Sequence, residues 1–259
     1  MIRVENISVK IGKKMLLDNV TASFEPGKMN LIIGPNGAGK STFVNVLSGQ
    51  LTPATGTVLY DDVDITKLPA AQLAKNRAVL SQNIQLTFPL NVWEVVMMGG
   101  YPHFISKPGD QDDEAVEGSM QLFDIWEMKD RNYMTLSGGE KQRVHFARVL
   151  CQLWFPLVGQ TRYLMLDEPL TFLDVHYQFE FMRKLETLLA DKNLVVVGVV
   201  HDLNLAARFA DKIVLLNQGQ VLACGSGREV LTKDNVLKAF HLQPIIYENR
   251  NGSFNLFFE

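Results

Sequence analysis

One stretch, Gly34-Pro35-Asn36-Gly37-Ala38-Gly39-Lys40-Ser41-Thr42, constrains this chain more than any other feature. It fits the pattern G-x-x-x-x-G-K-[ST]. An apolar run, Met29-Asn30-Leu31-Ile32-Ile33, precedes it, and residues 42–47 read as a helix that ends near Gly49. That order predicts a buried strand feeding a helix through a glycine-rich turn. The glycines permit backbone angles that aim successive N–H groups inward and let phosphate oxygens approach. The helix that starts near Lys40 adds its positive end. Lys40 is placed to reach the β- and γ-phosphates of a nucleotide, and Ser41 to offer a hydroxyl to Mg2+. A loop of this kind does not by itself separate a transport motor from a kinase or a GTPase.

Three further strand-like runs end in groups suited to hydrolysis of a nucleoside triphosphate. Tyr163-Leu164-Met165-Leu166 runs into Asp167-Glu168-Pro169. Asp167 is placed to hold Mg2+, and Glu168 to orient or deprotonate the attacking water. Residues 195–200 end at His201, which is placed to touch the γ-phosphate and sense its loss. Ala78-Val79-Leu80 ends at Ser81-Gln82, where Gln82 is a candidate for the metal or the water. Ligands of open parallel sheets bind beyond the carboxyl ends of the strands, so these ends point to one site.

Composition narrows the classes that remain. A length of 259 residues at 47% hydrophobic suits one large globular domain with room for a subdomain. A formal net charge of -3 argues against general nucleic-acid binding, which shows a basic excess. Cys151 and Cys224 stand far apart and suggest neither a disulfide framework nor a metal site, as expected of a reduced, cytosolic protein. No run reaches the roughly 18 to 20 apolar residues a spanning helix needs, and the N-terminus does not read as a signal peptide. A membrane role is therefore expected to come through a partner.

Strands at residues 2–9, 20–24 and 57–60, a helical middle from about Leu90 to Leu157 with a helix at 112–126, and returning strands at 163–166, 194–200 and 213–216 predict an α/β layer with a mostly parallel sheet. Beyond about Thr232 a short helix and a strand-rich tail are expected.

A second candidate anion site opens another helix at Leu136-Ser137-Gly138-Gly139-Glu140-Lys141-Gln142-Arg143, with Ser137 as its N-cap and two glycines leaving backbone N–H groups open. This string resembles the signature motif of ATP-binding-cassette (ABC) ATPases. The other motifs match that family in order along nearly the whole chain: the phosphate loop, a Q-loop at Gln82, the signature, a Walker B segment ending at Glu168, a D-loop at Leu173-Asp174 and a switch His201. The resemblance implies a P-loop (RecA-like) core of mostly parallel sheet, an N-terminal antiparallel β element and an inserted helical subdomain. It places the α/β core at residues 1–85 and 158–233, the helical subdomain at 86–157 and a tail at 234–259.

The resemblance further implies a head-to-tail homodimer that closes on two MgATP. Each ATP would lie between the phosphate loop of one copy and Ser137, Gly138 and Gly139 of the other, with Asp174 nearby. Transmembrane permease subunits would follow the motion, a substrate-binding protein would take part indirectly, and the chain would sit on the cytoplasmic face of the bacterial inner membrane. Four positions depart from the family pattern. Ile11 stands where an aromatic residue stacks on adenine. Leu170 and Phe172 replace small or hydroxyl residues before Asp174. Gly100 stands where an arginine is usual.

The segment from Gln82 through Phe88-Pro89-Leu90-Asn91-Val92-Trp93 to Tyr101-Pro102-His103 resembles an importer branch serving ferric siderophores, haem and cobalamin. Residues 147–154 and His201-Asp202-Leu203-Asn204-Leu205-Ala206-Ala207 lean toward the haem members. A kinase or GTPase would need neither signature nor switch histidine. A chromosome or repair ATPase would need a long coiled-coil insertion, and a ribosome-acting relative would need two cassettes. Lys40, Glu168 and His201 argue against a pure binding module. The tail carries no assignable chemistry and is expected to pack on the core or at a dimer.

Overall fold

The computed structural model describes residues 1–81, 86–104, 107–155, 159–248 and 254–258. The chain begins with β1 (Ile2–Ile11), β2 (Lys14–Phe24) and the fully buried β3 (Met29–Ile33), which feeds α1 (Lys40–Leu47). β4 (Thr55–Tyr60), β5 (Val63–Asp64), α2 (Ala70–Asn76) and β6 (Arg77–Leu80) follow. Next come α3 (Val92–Met97), α4 (Asp110–Leu122) and α5 (Gly138–Gln152), and then β7 (Arg162–Leu166). The remainder is α6 (Val175–Leu188), β8 (Leu194–Val199), α7 (Leu203–Phe209), β9 (Lys212–Asn217) and β10 (Gln220–Gly225). It closes with α8 (Gly227–Val230), α9 (Lys233–Phe240), β11 (Ile245–Glu248) and β12 (Phe254–Phe257).

Two sheets carry the fold. One is antiparallel, in the order β2-β1-β4-β5, and is the expected N-terminal β element. The other has the order β10-β9-β3-β8-β7-β6, parallel throughout except for the β9–β10 hairpin. Strand periodicity explains how it is held. Val195, Val197 and Val199 of β8 and Tyr163 and Met165 of β7 face α1 and the antiparallel sheet. Leu194 and Val196, with Leu164 and Leu166, face the helices on the other side. Both faces are covered, which is why these strands read as unbroken apolar runs.

Between β6 and β7 the described residues form helices and short 3₁₀ turns. The helix expected at 112–126 starts two residues earlier and stops at Leu122. The Gly109 N–H donates to Asp112 Oδ2 at 2.9 Å, closing the first turn before Asp112. Asp124, at φ +53°, breaks the helix, so Trp126 falls in a separate 3₁₀ turn. Asn91 caps α3 through a reciprocal pair with Glu94, each bond 2.8 Å. The tail packs on the core as expected. Val236, Ala239, Phe254 and Leu256 are buried in the same apolar cluster as α7.

Candidate nucleotide site

The phosphate loop lies between β3 and α1, and its glycines are there for space. A Cβ at Gly34 would stand 2.2 Å from the Leu216 carbonyl oxygen, and one at Gly39 would stand 2.7 Å from that of Leu16. Gly37 and Gly39 have φ of +79° and +101°, in the left-handed region that L side chains avoid. Lys40 is 5% exposed, and its ammonium donates to the carbonyls of Gly34 and Pro35 at 3.0 and 3.1 Å. Burial lowers its pKa, while Glu168 and Asp167 oppose that shift. Asn36 and Gly37 are exposed at the rim, Ala38 is buried, and Ser41 and Thr42 are half-buried.

Adjacent strands bring the other groups to the same end of the sheet. The order β3-β8-β7 sets the phosphate loop beside His201 and the Asp167-Glu168 pair. Ser41 Oγ donates to Asp167 Oδ1 at 3.1 Å, and the Asp167 N–H donates to Leu80 O of β6 at 2.9 Å. Burial raises the Asp167 pKa, Glu168 adds to the rise, and Ser41, Lys40 and His201 pull it back. A hydroxyl and a carboxylate paired in this way offer hard oxygen ligands of the kind Mg2+ takes. His201 Nε2 stands 2.8 Å from Glu168 Oε1, with the imidazole half-exposed and the carboxylate mostly covered. Glu168 has φ +52°, in the left-handed region that residues other than glycine rarely adopt. Gln82 lies outside the described residues.

The signature stretch occupies a different corner. Ser137 caps α5 by a reciprocal pair: its Oγ accepts from the Glu140 N–H at 3.3 Å, and Glu140 Oε2 accepts from the Ser137 N–H at 2.7 Å. Those bonds to Ser137 hold the Glu140 carboxyl below its ordinary range. Gly138 and Gly139 lie under Phe172: a Cβ at Gly138 would meet the Phe172 Cβ at 3.5 Å, and one at Gly139 its carbonyl oxygen at 3.4 Å. Phe172 is 74% exposed and has φ +68°. Asp174 caps α6, accepting from the Tyr177 N–H at 3.1 Å. Among the described residues, the side-chain hydrogen bonds and ion pairs of Ser137 and Glu140 stay within this corner, at each other and Arg131. Thus one chain assembles the phosphate loop, Asp167, Glu168 and His201, and presents Ser137, Gly138, Gly139 and Asp174 elsewhere.

Two side chains that motif reading passed over tie the corners together. Gln142 Nε2 donates to the Pro169 carbonyl at 2.8 Å, joining the signature helix to the loop that follows Glu168. Gln178 Nε2 donates to Leu173 O at 3.0 Å and Leu170 O at 3.4 Å, holding the same loop from α6. Gln142 lies inside the signature string, but its sequence neighbours do not reveal its partner. His103 of the Tyr-Pro-His ending donates through Nε2 to Gln152 O at 2.8 Å, pinning residues 98–103 to the end of α5. A Cβ at Gly100 would lie 2.9 Å from Phe104 Cε1, so a side chain there would require the Phe104 ring to shift.

This architecture, with its phosphate loop, acidic strand end, histidine strand end and glycine-led helix, is that of an ATP-binding cassette. The ABC transporter family profile matches residues 17–171, and the chain belongs to that family. The hemin import ATP-binding protein HmuV of Escherichia coli O157:H7 is 41% identical over 233 residues, 90% of this chain and 89% of the relative. HmuV of Bordetella avium (strain 197N) is 41% identical over 242 residues, 93% of this chain and 92% of the relative. Among solved structures, the ADP conformation of MJ1267, an ATP-binding cassette of an ABC transporter, superposes with a TM-score of 0.79 at 26% identity, covering 93% of this chain and 98% of that one. The dimeric bacterial ABC transporter cassette MJ0796 gives 0.76 at 26% identity, covering 88% and 99%. Among the described residues no helix is long and apolar enough to cross a membrane.

Proposed function

We propose that this chain is the ATP-hydrolysing motor subunit of a membrane importer for haem, working as a head-to-tail homodimer with two MgATP at its interfaces. The observation that carries the reading is the meeting of the Ser41–Asp167 and Glu168–His201 pairs beside a buried Lys40 at one end of the sheet. The kinship with hemin import ATP-binding proteins over about nine-tenths of both chains supports the cargo class. The division into a core of residues 1–85 and 158–233, a helical subdomain of 86–157 and a tail of 234–259 is part of the proposal. So are permease subunits as direct partners, a substrate-binding protein as an indirect one, and a peripheral place on the cytoplasmic face of the inner membrane.

In this reading the backbone N–H groups of residues 34–42 and the Lys40 ammonium bind the β- and γ-phosphates. Ser41, Asp167 and Gln82 hold Mg2+, which supplies charge neutralisation on the phosphate oxygens when bound. Glu168 accepts a proton from water as the water oxygen bonds to the γ-phosphorus and the bond to the bridging oxygen breaks, releasing ADP. His201 donates to a γ-phosphate oxygen. Ser137, Gly138 and Gly139 of the second copy, beside Asp174, complete the cradle, so that ATP binds the closed dimer more tightly than the open one. The exposed Ile11 at the end of β1 offers an aliphatic surface where the family places an aromatic ring. The test is ATP-dependent uptake by vesicles reconstituted with the membrane subunits recovered with this chain. Haem uptake abolished by Glu168→Gln supports the whole reading. Uptake of a ferric siderophore or cobalamin instead keeps the motor and discards haem, and recovery of no membrane subunit overturns the importer assignment.

A further inference from the structure

His201 is held by a short piece of chain. It follows β8, whose extension at Val200 donates its N–H to Ile32 O of β3 at 3.2 Å, and it precedes Asp202, the cap of α7. Asp202 Oδ1 accepts from the N–H groups of Asn204 and Leu205 at 2.7 and 3.0 Å. With only seven residues, α7 is too short to hold its own position, and packing must do so. Leu205, Ala206 and Phe209 anchor its buried face.

The remaining side of α7 is held by the C-terminal hairpin. Asn204 Oδ1 accepts from the Leu256 N–H at 2.7 Å, and Asn204 Nδ2 donates to the Leu256 carbonyl at 3.1 Å. Both bonds go to one residue of β12, so the amide continues the strand's ladder as a neighbouring strand would. Leu256 is 2% exposed, and Phe254 packs beside Gly227 of α8, where a Cβ would lie 3.5 Å from the ring. α8 in turn meets α7, since that same Cβ would lie 3.7 Å from Ala207 Cα. A residue three positions after the histidine is thereby fixed, by two hydrogen bonds, to a hairpin at the far end of the sequence.

We propose that Asn204 is a positioning residue for ATP hydrolysis: its clamp on Leu256 makes the C-terminal hairpin the fixed support that holds α7, and with it the His201 imidazole, in register with Glu168. The inference rests on His201 acting at the γ-phosphate. It gives the tail a part in the reaction without contact with nucleotide. Small misplacements of a catalytic group by distant substitutions lower rate steeply while leaving the bulk of substrate binding in place.

The test uses the full-length chain with four substitutions: Asn204→Ala, Asn204→Asp, Val236→Ala and His201→Ala. Asn204→Ala is expected to lower kcat for ATP about tenfold while KM and ADP affinity stay within about twofold. It also shifts the His201 imidazole resonances in NMR spectra, which are assigned by their loss in His201→Ala. Asn204→Asp keeps the bond accepted from the Leu256 N–H but loses the donor, and falls between. Val236→Ala removes buried volume under α9 and lowers Tm with kcat and the His201 resonances unchanged. A drop in Tm for Asn204→Ala with kcat and the His201 resonances as in wild type would reduce the clamp to a structural tie and overturn the proposal. Wild-type hydrolysis by His201→Ala would instead bring down the reading of the nucleotide site. In that case the His201 resonances of Asn204→Ala still decide whether the clamp places the ring.

Discussion

The sheet end around Lys40 and the corner around Ser137 both offer backbone N–H groups to an anion, yet they are built to different standards of completeness. The first is buried and converges from three neighbouring strands, with Lys40 and Asp167 6% exposed or less. The second stands at the surface, with Ser137 and Gly138 exposed and Phe172 bare above the glycines. A single chain can bind phosphates at the first. In the proposed dimer, the second presents half of a site whose other half is the first region of another copy. On the proposed reading, nucleotide binding needs one copy and hydrolysis needs two, and Gln142 ties the signature helix to the loop after Glu168 within each copy.

Substitutions can break that contrast in graded ways. Glu168→Gln is expected to have the largest effect, cutting hydrolysis by about 10³-fold while ATP still binds, as read by steady-state turnover and equilibrium binding. Ser137→Arg should lower turnover by at least about 10²-fold and leave ATP bound to the isolated chain if, as proposed, the signature serves the other copy. Gln142→Ala unties α5 from the loop after Glu168. Turnover should fall several-fold with little change in the affinity of the isolated chain for ATP.

Ile11→Trp sharpens the first region alone, raising ATP affinity by a few-fold through ring stacking, measurable by titration calorimetry. The smallest effect concerns His145 on the signature helix. Burial, with Arg148 and Lys141 adding, pushes its pKa down to about 3, and Tyr133 OH stands 2.8 Å from its Nε2. A depressed histidine pKa gives stability that is present above the unfolded value and is lost as pH falls from about 6.5 toward 3. His145→Gln should flatten that acid limb in chemical denaturation.

Much of this molecule is legible in the sequence because its chemistry sits at strand ends and helix starts, where local pattern and function coincide. Residues 34–42, Asp167, Glu168, His201 and Ser137 all announce themselves in that way. The misplaced helix at 112–126 had its true limits in Gly109 and Asp124, a cap and a left-handed turn that carry little apolar signal. β5, at two residues, and α8, at four, are too short to show a period. The ties made by Gln142, Gln178 and Asn204 were hidden for another reason. Each amide finds a backbone partner that only the packed fold brings near, up to 52 residues away in the chain. Phe172 shows the same limit. The family pattern marks it as a departure, and only the structure reveals that its carbonyl and ring edge lie on the signature glycines.

Whether each working site is shared between two copies is read most directly by mixing two inactive chains. A chain with Ser137→Arg retains an intact phosphate loop and Glu168, and a chain with Glu168→Gln retains an intact signature. In a head-to-tail pair of the two, one interface unites both intact halves, so the mixture should recover ATP hydrolysis that neither variant shows alone. A mixture as inactive as its components would mean that Ser137 serves the nucleotide of its own chain, and the shared site would have to be given up.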